Sequence, residues 1–374
     1  MLSSLKHHYR VSRLAWKFLV HEELKSPTPV PLNKRLSLLR RGYHGQAWEL
    51  YDLTHYPLID YFSDWAKARM SMMYDGRNVR AGYQYGLNNK IFSTAILGHY
   101  LRVPAIYAIV EHGSLVRLHP TGSEMFKGSW MGACRVAGGT LVVKPSAEGR
   151  GRGVFVLADR DGELVLDGVR VTEQEIDRKI KTLNEYIIVE FLHQGQYAAS
   201  LYPEATNTIR MVTIIDPATH KPFLATAIQR IGRAASQPVD NWNRGGLCAA
   251  VDLETGTLSR AAARETAQRR LAWHDVHPDT GMPIKGMKVP QWEVAQQKIL
   301  ETAACLAYYK FLSWDVVVMD DGIAVIEADT VSGIETLQVH RPLLRDARVR
   351  RCFAHYGYVR GKTPAPASQK VLAK

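Results

Sequence analysis

The most informative stretch of the chain is FLSWDVVVMDDGIAVIEADTVSG, residues 311–333. It contains two apolar runs separated by a turn at residues 320–322, and this pattern predicts a β-hairpin. Asp315 lies at the start of the first run, whereas Glu327 and Asp329 end the second. Because side chains alternate along a strand, Glu327 and Asp329 share one face. Antiparallel pairing then brings the three carboxylates to the same end of the hairpin.

Three carboxylates at one end of a hairpin repel one another and raise one another's pKa. A divalent cation removes this repulsion, and Mg²⁺ is a hard cation that takes oxygen ligands and keeps phosphate groups as partners. The hairpin is therefore a candidate Mg²⁺ site, with Asp315, Glu327 and Asp329 as its ligands. The alternative is an acidic hairpin whose ends are only solvated.

A second candidate site is rich in glycine. Residues 140–145 form a predicted strand that contains Lys144, and residues 154–157 form the next strand. The turn between them contains two arginines and three glycines, Gly149, Gly151 and Gly153. Such a turn exposes backbone N–H groups that can close over phosphates. The Walker spacing is missing and no long helix follows, so neither a P-loop nor a Rossmann fingerprint fits. The alternative is a flexible hairpin without a ligand.

The composition is that of a globular protein with more than one structural unit. The 374 residues predict two or three domains or subdomains, and the hydrophobic fraction of 46% is ordinary. We expect neither a transmembrane helix nor a signal peptide, because no apolar stretch is long enough for either. The cysteines form no C-x-x-C pair, which favours reduced thiols in a cytoplasmic protein and gives no sign of a zinc site.

The net charge of +12 predicts an anionic partner, and residues 1–40 carry half of it. Residues 4–24 form a predicted amphipathic helix with a basic stripe of Lys6, Arg10, Arg13 and Lys17. This helix either packs its apolar side on the protein or makes peripheral contact with an anionic membrane surface. Residues 32–86 contain many aromatic side chains, but their spacing is typical of packed helices. No nucleic-acid motif accompanies them, so we expect no nucleic acid partner.

The rest of the chain mixes strands and helices. Helices are predicted from Lys90 to about residue 98 and over residues 173–183, 291–310 and 343–355. Further strands are predicted over residues 103–109, 185–192, 207–215, 222–231 and, with a turn, 249–258. A polar loop is predicted over residues 240–246, and a mobile tail follows residue 361.

This order of features resembles the ATP-grasp superfamily over roughly residues 87–335, most specifically in Asp315 and the later Glu327-x-Asp329 pattern. Four short motifs are similar to those of the ATP-grasp branch associated with sugar transfer and surface polysaccharides. They are NTIR at 207–210, RGG at 244–246, WD at 314–315 and QVHRPLL at 338–344. Together with residues 42–43 and 61–64, they extend the closer resemblance over most of the chain. The RGG loop is also similar to one in ligases that add amino acids to a C-terminal carboxylate.

The resemblance implies an α+β fold, the ATP-grasp fold, in which two α+β subdomains clasp ATP after an N-terminal helical and aromatic region. The implied boundaries are an N-terminal region over residues 1–86, a small subdomain with the glycine-rich hairpin over 87–192, a large subdomain with the metal site over 193–361, and a flexible tail over 362–374.

The resemblance also implies roles for individual residues. Lys90 and Lys144 would hold the α- and β-phosphates of ATP, and the hairpin of residues 149–153 would close over them. The hinge that binds adenine through its backbone would be Glu190, Phe191 and Leu192. The phosphoryl-transfer site would be lined by Arg210, Arg230 and Asn241, with Arg244 near the acceptor.

Two positions depart from the family's pattern. The last metal ligand is commonly asparagine in the superfamily, whereas here it is Asp329. The additional negative charge should tighten metal binding. An acidic ribose contact after the hinge is not evident, and Gln194 and Gln196 are weak candidates for that contact.

The function implied is an ATP-dependent carboxylate–amine ligase that works through an acyl phosphate, with ATP and Mg²⁺ as cofactors and small-molecule carboxylate and amine substrates. The setting would be polysaccharide or sugar-acid modification, or the synthesis of small peptide metabolites. One alternative is an ATP-binding protein without ligase activity. Another is a basic module that binds a membrane surface or nucleic acid.

Overall fold

Two antiparallel sheets of seven strands each form the framework of the molecule. The structure is a computed structural model, and it describes residues 30–74, 85–117, 125–147, 153–265, 270–330 and 333–359, together with Trp16, Phe18 and Glu23. The helix predicted over residues 4–24, the tip of the glycine-rich hairpin at 148–152 and the tail over 362–374 lie outside these residues, apart from the three positions named.

The helices of the described residues are short, and side-chain caps begin several of them. They are α1 (Leu32–Arg40), α2 (Ala47–Leu50), α3 (Asp64–Tyr74), α4 (Lys90–Leu97), α5 (Trp130–Val136), α6 (Glu173–Lys181), α7 (Gln196–Leu201), α8 (Trp292–Cys305), α9 (Ile334–Leu337) and α10 (Ala347–His355). Asn89 caps α4, Thr172 caps α6 with a reciprocal bond from Glu175, and Asp346 caps α10. Single 3₁₀ turns occur at Leu58–Asp60, Ala234–Ser236, Trp242–Arg244 and Leu343–Arg345.

The small sheet has the strand order β2-β1-β7-β3-β4-β5-β6. Its strands are β1 (Ile106–Glu111), β2 (Ser114–Arg117), β3 (Thr140–Pro145), β4 (Phe155–Arg160), β5 (Glu163–Leu166), β6 (Val169–Arg170) and β7 (Tyr186–Glu190). Leu141 and Val143 of β3 are buried in a core that includes residues of α5 and α6. Because side chains alternate, Val142 and Lys144 face the opposite side of this sheet.

The large sheet has the strand order β12-β11-β10-β9-β8-β13-β14. Its strands are β8 (Thr208–Ile215), β9 (Pro222–Ile231), β10 (Leu247–Val251), β11 (Leu258–Glu265), β12 (Arg270–His274), β13 (Phe311–Met319) and β14 (Gly322–Asp329). It is covered on both faces, since Leu312 and Trp314 of β13 join a core with α8, whereas Phe311 joins a second core with residues from both ends of the described chain.

The second core ties the N-terminal segment of residues 30–74 to the large sheet and to residues 333–359. Gln338 is fully buried; its Oε1 accepts from the Phe62 N–H at 2.6 Å and its Nε2 donates to the Phe62 carbonyl at 3.1 Å. Arg350 Nη2 pairs with Asp60 at 2.7 Å. The N-terminal segment therefore packs beside the large sheet, on the same face as the charged residues described below.

The structure refines several of the sequence-based elements. The hairpin of residues 311–329 is confirmed, with Asp315 opposite Glu327 in register. The helix expected over 291–310 ends already at Cys305, and the helix expected over 343–355 is divided at its capping residue Asp346. Strands β11 and β12 were not predicted from the sequence. No described helix is long and apolar enough to cross a membrane.

Replacing Gln338 by leucine should lower the free energy of unfolding by at least about 2 kcal/mol, because the buried N–H and C=O of Phe62 would lose their partners. Chemical denaturation measures this change. Alanine at the exposed Gln297 of α8 is the matched control and should change stability by no more than about 0.5 kcal/mol. Equal stability of the Gln338→Leu variant and the wild type would contradict the proposed attachment.

Candidate active site

The opening between the two sheets is the candidate active site, because it collects residues that are far apart in the sequence. Residues of strands β3, β4 and β7 in the small sheet line one side, and residues of β9, β13 and β14 in the large sheet line the other. Nine of the residues predicted from the sequence line it, namely Lys90, Lys144, Glu190, Phe191, Leu192, Arg230, Asn241, Asp315 and Glu327. Gly149 and Gly151 lie outside the described residues.

One end of the cavity is apolar. Val142, Val156 and Val189 line the cavity from the small sheet, and Leu192 and Ile326 line it from the segment after β7 and from β14. A slot of this kind suits a flat ring such as a nucleobase. Sequence analysis missed the valines and Ile326 because they look like ordinary strand interior. The available signal was the alternation along β3, which puts Val142 on the same face as Lys144.

Glu190 closes the apolar end through contacts to the segment before β1. Its carboxylate pairs with Arg102 and accepts from the Ala105 N–H at 3.0 Å. Its own N–H donates to the Ala105 carbonyl at 2.9 Å. The side chain of Glu190 therefore holds the end of β7 in place, and the adenine-binding role of the backbone at 190–192 stays a prediction.

Two lysines, Lys90 and Lys144, also line the cavity. The Lys90 N–H donates to the Ser146 carbonyl at 2.7 Å, which joins the start of α4 to the end of β3. Lys144 is half-buried, and the loss of water around its side chain, together with the charge of Lys90, lowers the pKa of Lys144 to about 8 against the opposing effect of Glu327. Two such ammonium groups in one cavity strongly attract an anion such as phosphate.

Gly153 follows the undescribed tip of the hairpin and has a φ of +67°. A Cβ at this position would lie 2.5 Å from the Tyr186 hydroxyl oxygen and 3.2 Å from Pro145. Glycine is needed here because of both the backbone conformation and the close approach to β7. Its role in closing over phosphates stays a prediction.

Asp315 lies at the centre of the charged end of the site. The strand register puts Arg210 and Glu327 directly opposite it on the two neighbouring strands. Its carboxylate accepts from Arg210 Nε and Nη2 at 2.7 Å each and from Arg230 Nη1 at 2.7 Å. Burial alone would raise the pKa of Asp315, but the charges and hydrogen bonds of the two arginines outweigh burial and hold it at about 2.

Asp240 joins this network, although sequence analysis placed it only in a polar loop. Its Oδ1 pairs with Arg230 Nη2 at 2.6 Å. Its Oδ2 accepts from the Thr208 N–H at 2.9 Å and from the Thr208 hydroxyl at 2.6 Å. Asp240 is buried and lines the cavity. The loop has no periodicity that would distinguish this residue from its neighbours, so only the folded sheet reveals its partners.

Residues 69–348 match the model of a family described as sugar-transfer associated ATP-grasp. The chain belongs to this ATP-grasp family. The match covers residues from both sheets, and it confirms the expected α+β ATP-grasp fold and the resemblance from which it was inferred. No curated protein matches the chain.

Solved structures resemble the chain at low sequence identity. D-alanine–D-alanine ligase from Bacillus anthracis is 13% identical with a TM-score of 0.38, over 93% of each chain. D-cycloserine synthetase DcsG is 13% identical with a TM-score of 0.37, over 73% of this chain and 71% of its own. The ATP-grasp ligase PsnB, solved with a phosphomimetic precursor variant, Mg and ADP, is 12% identical with a TM-score of 0.36, over 75% of this chain and 60% of its own.

The carboxylates of this ATP-grasp site suit a hard cation such as Mg²⁺. Burial raises the pKa of Glu327, and the nearby Asp315 and Asp329 raise it further against the effect of Lys90. Within the described residues, no three His, Cys, Asp or Glu side chains are arranged so that they could hold a metal ion together. Both oxygens of Asp315 accept from arginines. Carboxylate oxygens are the ligands that Mg²⁺ prefers, and the assignment of Asp315, Glu327 and Asp329 as its ligands stays a prediction.

Arg244 and the two ribose candidates are not among the residues that line the cavity. Arg244 is exposed and its Nη2 donates to the Gln237 carbonyl at 3.1 Å. Gln194 donates to the carbonyls of Tyr202 and Ala205 and accepts from the Asn207 N–H, so it organises the loop before β8. Gln196 is exposed at the start of α7. The acceptor role of Arg244 stays a prediction, and we find no support for a ribose contact at either glutamine.

The pKa of about 8 for Lys144 predicts how ATP affinity depends on pH. Lys144 is mostly protonated at neutral pH and loses its proton as the pH rises through about 8. Phosphate favours the protonated form, so affinity should be highest below this pKa and should weaken above it by up to about tenfold per pH unit. Calorimetric titration from about pH 7 to about pH 9.5 measures the change, with proton uptake on binding at the alkaline end.

The matched control is Lys144→Arg, because arginine keeps its charge throughout this range. ATP affinity of this variant should be nearly independent of pH above about 8. If the wild type and the variant weaken by the same factor, the ionisation of Lys144 is not the cause.

Proposed function

We propose that this protein is an ATP-dependent ligase that joins a carboxylate to an amine through an acyl phosphate and releases ADP. One observation carries the proposal: a single cavity is lined by apolar side chains, by Lys90 and Lys144, and by Arg230 with the carboxylates of the β13–β14 hairpin. This lining suits a nucleotide whose base would contact the apolar side chains, whose phosphates would contact the lysines, and whose γ-phosphoryl group would point at the arginine.

The proposed chemistry has two steps. An oxygen of the substrate carboxylate attacks the γ-phosphorus, the bond to the β-phosphate oxygen breaks, and ADP leaves. The amine nitrogen then attacks the carbonyl carbon of the acyl phosphate, phosphate leaves with the carbon–oxygen bond electrons, and the amine proton passes to solvent. Activation is necessary because a carboxylate anion is a poor electrophile toward an amine.

The residues of the chain mainly bind, orient and neutralise charge in this scheme. Lys90 and Lys144 would hold phosphate oxygens, and Arg210 and Arg230 would stabilise the charge on the transferred group. Glu327 and Asp329, joined by Asp315, would hold Mg²⁺, which when bound would neutralise the charge of the β- and γ-phosphates. A closed hairpin at residues 149–153 would keep water from the acyl phosphate.

The family description supports a substrate class in sugar or polysaccharide metabolism. We propose that one substrate is a sugar acid or a small amino-acid-like carboxylate, and that the amine is equally small. Screening pairs of carboxylates and amines for ADP release would identify both. The cytoplasmic location and the membrane contact of residues 4–24 stay predictions from the sequence.

The product balance tests the proposed bond cleavage. We expect one ADP and one phosphate for each amide formed, because Arg230 and the proposed metal ligands Asp315 and Glu327 line the same cavity as the lysines that would hold the phosphates. Hydroxylamine should trap the intermediate as a hydroxamate when the amine is omitted. Chromatography of the nucleotide products measures the ratio, and AMP with pyrophosphate would show that activation proceeds through an adenylate instead.

Glu327→Gln should lower turnover by at least about a hundredfold, since a catalytic metal contributes several kcal/mol. The fold should survive, because burial and the acidic neighbours already raise the pKa of Glu327 and so disfavour its charge. Removing that charge should therefore cost little stability. ADP release and thermal unfolding are measured together. Glu254→Gln, in an exposed turn, is the control and should keep wild-type turnover. Turnover of Glu327→Gln within about threefold of wild type would refute the metal assignment.

A further inference from the structure

Arg230 lies between two buried carboxylates. Its Nη1 donates to Asp315 at 2.7 Å, and its Nη2 donates to Asp240 at 2.6 Å. The side chains of all three residues are almost inaccessible to water. A buried guanidinium needs such partners, and losing one of them normally leaves an expensive unpaired charge.

The two carboxylates differ in how they are held. Asp240 is fixed by the main chain of β8, because its Oδ2 accepts from both the N–H and the hydroxyl of Thr208. Thr208 is itself buried and lies two residues before Arg210 on the same strand. Asp315 accepts instead from side chains that themselves belong to the site, Arg210 and Arg230.

This difference matters because Asp315 has a second proposed use as a metal ligand. If Asp315 turned to a cation and released Arg230, Nη1 would lose its partner, while Nη2 would keep the contact to Asp240. Arg230 would then stay directed into the cavity with one edge free for a phosphoryl oxygen. Arg210 differs from Arg230, because both its Nε and its Nη2 donate to the same acid, Asp315.

We propose that Asp240 is a positioning residue that holds Arg230 in the direction of the γ-phosphoryl group. The inference rests on the proposed function, since it assumes a nucleotide in the cavity with its γ-phosphate at Arg230. Asp240 is buried and lines the cavity, and neither the sequence pattern nor the family description gives it a role.

The substitution Asp240→Asn separates charge from shape. If the amide oxygen keeps the two bonds from Thr208, the amide nitrogen faces Arg230 Nη2, and two donors then oppose each other. If the amide turns over, its nitrogen faces the Thr208 donors instead. In the first orientation Arg230 loses its hydrogen bond on that side, and in the second it keeps only a bond to a neutral amide oxygen while Thr208 loses its acceptor. Either way the ion pair that fixes the direction of Arg230 is lost.

The test measures two dissociation constants in the presence of Mg²⁺, one for ADP and one for the non-hydrolysable analogue β,γ-imido-ATP. They are measured first for the wild type and then for each variant. The ratio of the two dissociation constants isolates contacts to the γ-phosphoryl group. We expect Arg230→Ala to reduce the preference for the analogue by about tenfold or more, and Asp240→Asn to reduce it by about the same factor. The double variant Arg230→Ala with Asp240→Asn should match Arg230→Ala alone within about twofold.

Non-additivity is the decisive result, because a residue that only supports the fold would change the ratio independently of Arg230. If the effects of the two single substitutions multiply in the double variant, the inference is wrong. A wild type that binds both probes equally well would also overturn it, since Arg230 would then not contact the γ-phosphoryl group. A wild type that binds neither probe would refute the proposed function itself, and the inference with it.

Thr208 supplies milder variants should Asp240→Asn fold poorly. Thr208→Val keeps the backbone N–H bond to Asp240 and removes the hydroxyl bond, so it should lower the preference for the analogue by a smaller factor, again only when Arg230 is present. Thr208→Ser keeps both bonds and should restore the preference of the wild type. A loss of preference in Thr208→Val that persists in the Arg230→Ala background would contradict the inference.

Discussion

The carboxylate of Asp315, bonded to Arg210 and Arg230 at 2.7 Å in a place that water barely reaches, is the contact on which the charged half of the site depends. Its position follows from sheet order, since β13 lies between β8 and β14. Arg210 and Glu327 therefore flank Asp315 in register on either side. Removing the acid would leave two guanidinium groups without this partner, so the same residue that could bind a cation also pairs two arginines of the site.

The large sheet can maintain such a charged centre because both of its faces are otherwise covered by apolar cores. Helix α8 closes one face, and residues 30–74 with residues 333–359 close the other around Gln338. The arginines and acids lie on the second face, at the margin of its apolar core. The N-terminal segment thus packs on the same face of the large sheet as the arginines and acids.

Much of the site could be predicted from the sequence, because its strongest signals are local. The hairpin of β13 and β14 has apolar runs, a glycine turn and acids at fixed spacing, and the structure brings Asp315 and Glu327 together as expected. Asp240 could not be predicted, because its partners Thr208 and Arg230 are joined to it only by the pairing of strands. Strand β11 was missed for a related reason. Its sequence LSRAAARE has weak β-propensity, and pairing with β10 and β12 overrides that preference.

The charges of the site also balance without a ligand. Four basic side chains (Lys90, Lys144, Arg210 and Arg230) meet four acidic ones (Asp240, Asp315, Glu327 and Asp329) in and beside the cavity. A nucleotide adds negative charge at the lysines and a cation adds positive charge at the acids, so the two ligands together disturb this balance less than either one alone. Under the proposed function, binding would exchange partners, so that arginines would pair with a phosphate while the carboxylate of Asp315 would pair with the metal. Such an exchange would keep each of these charges paired, which limits the cost of placing so many charges between two sheets.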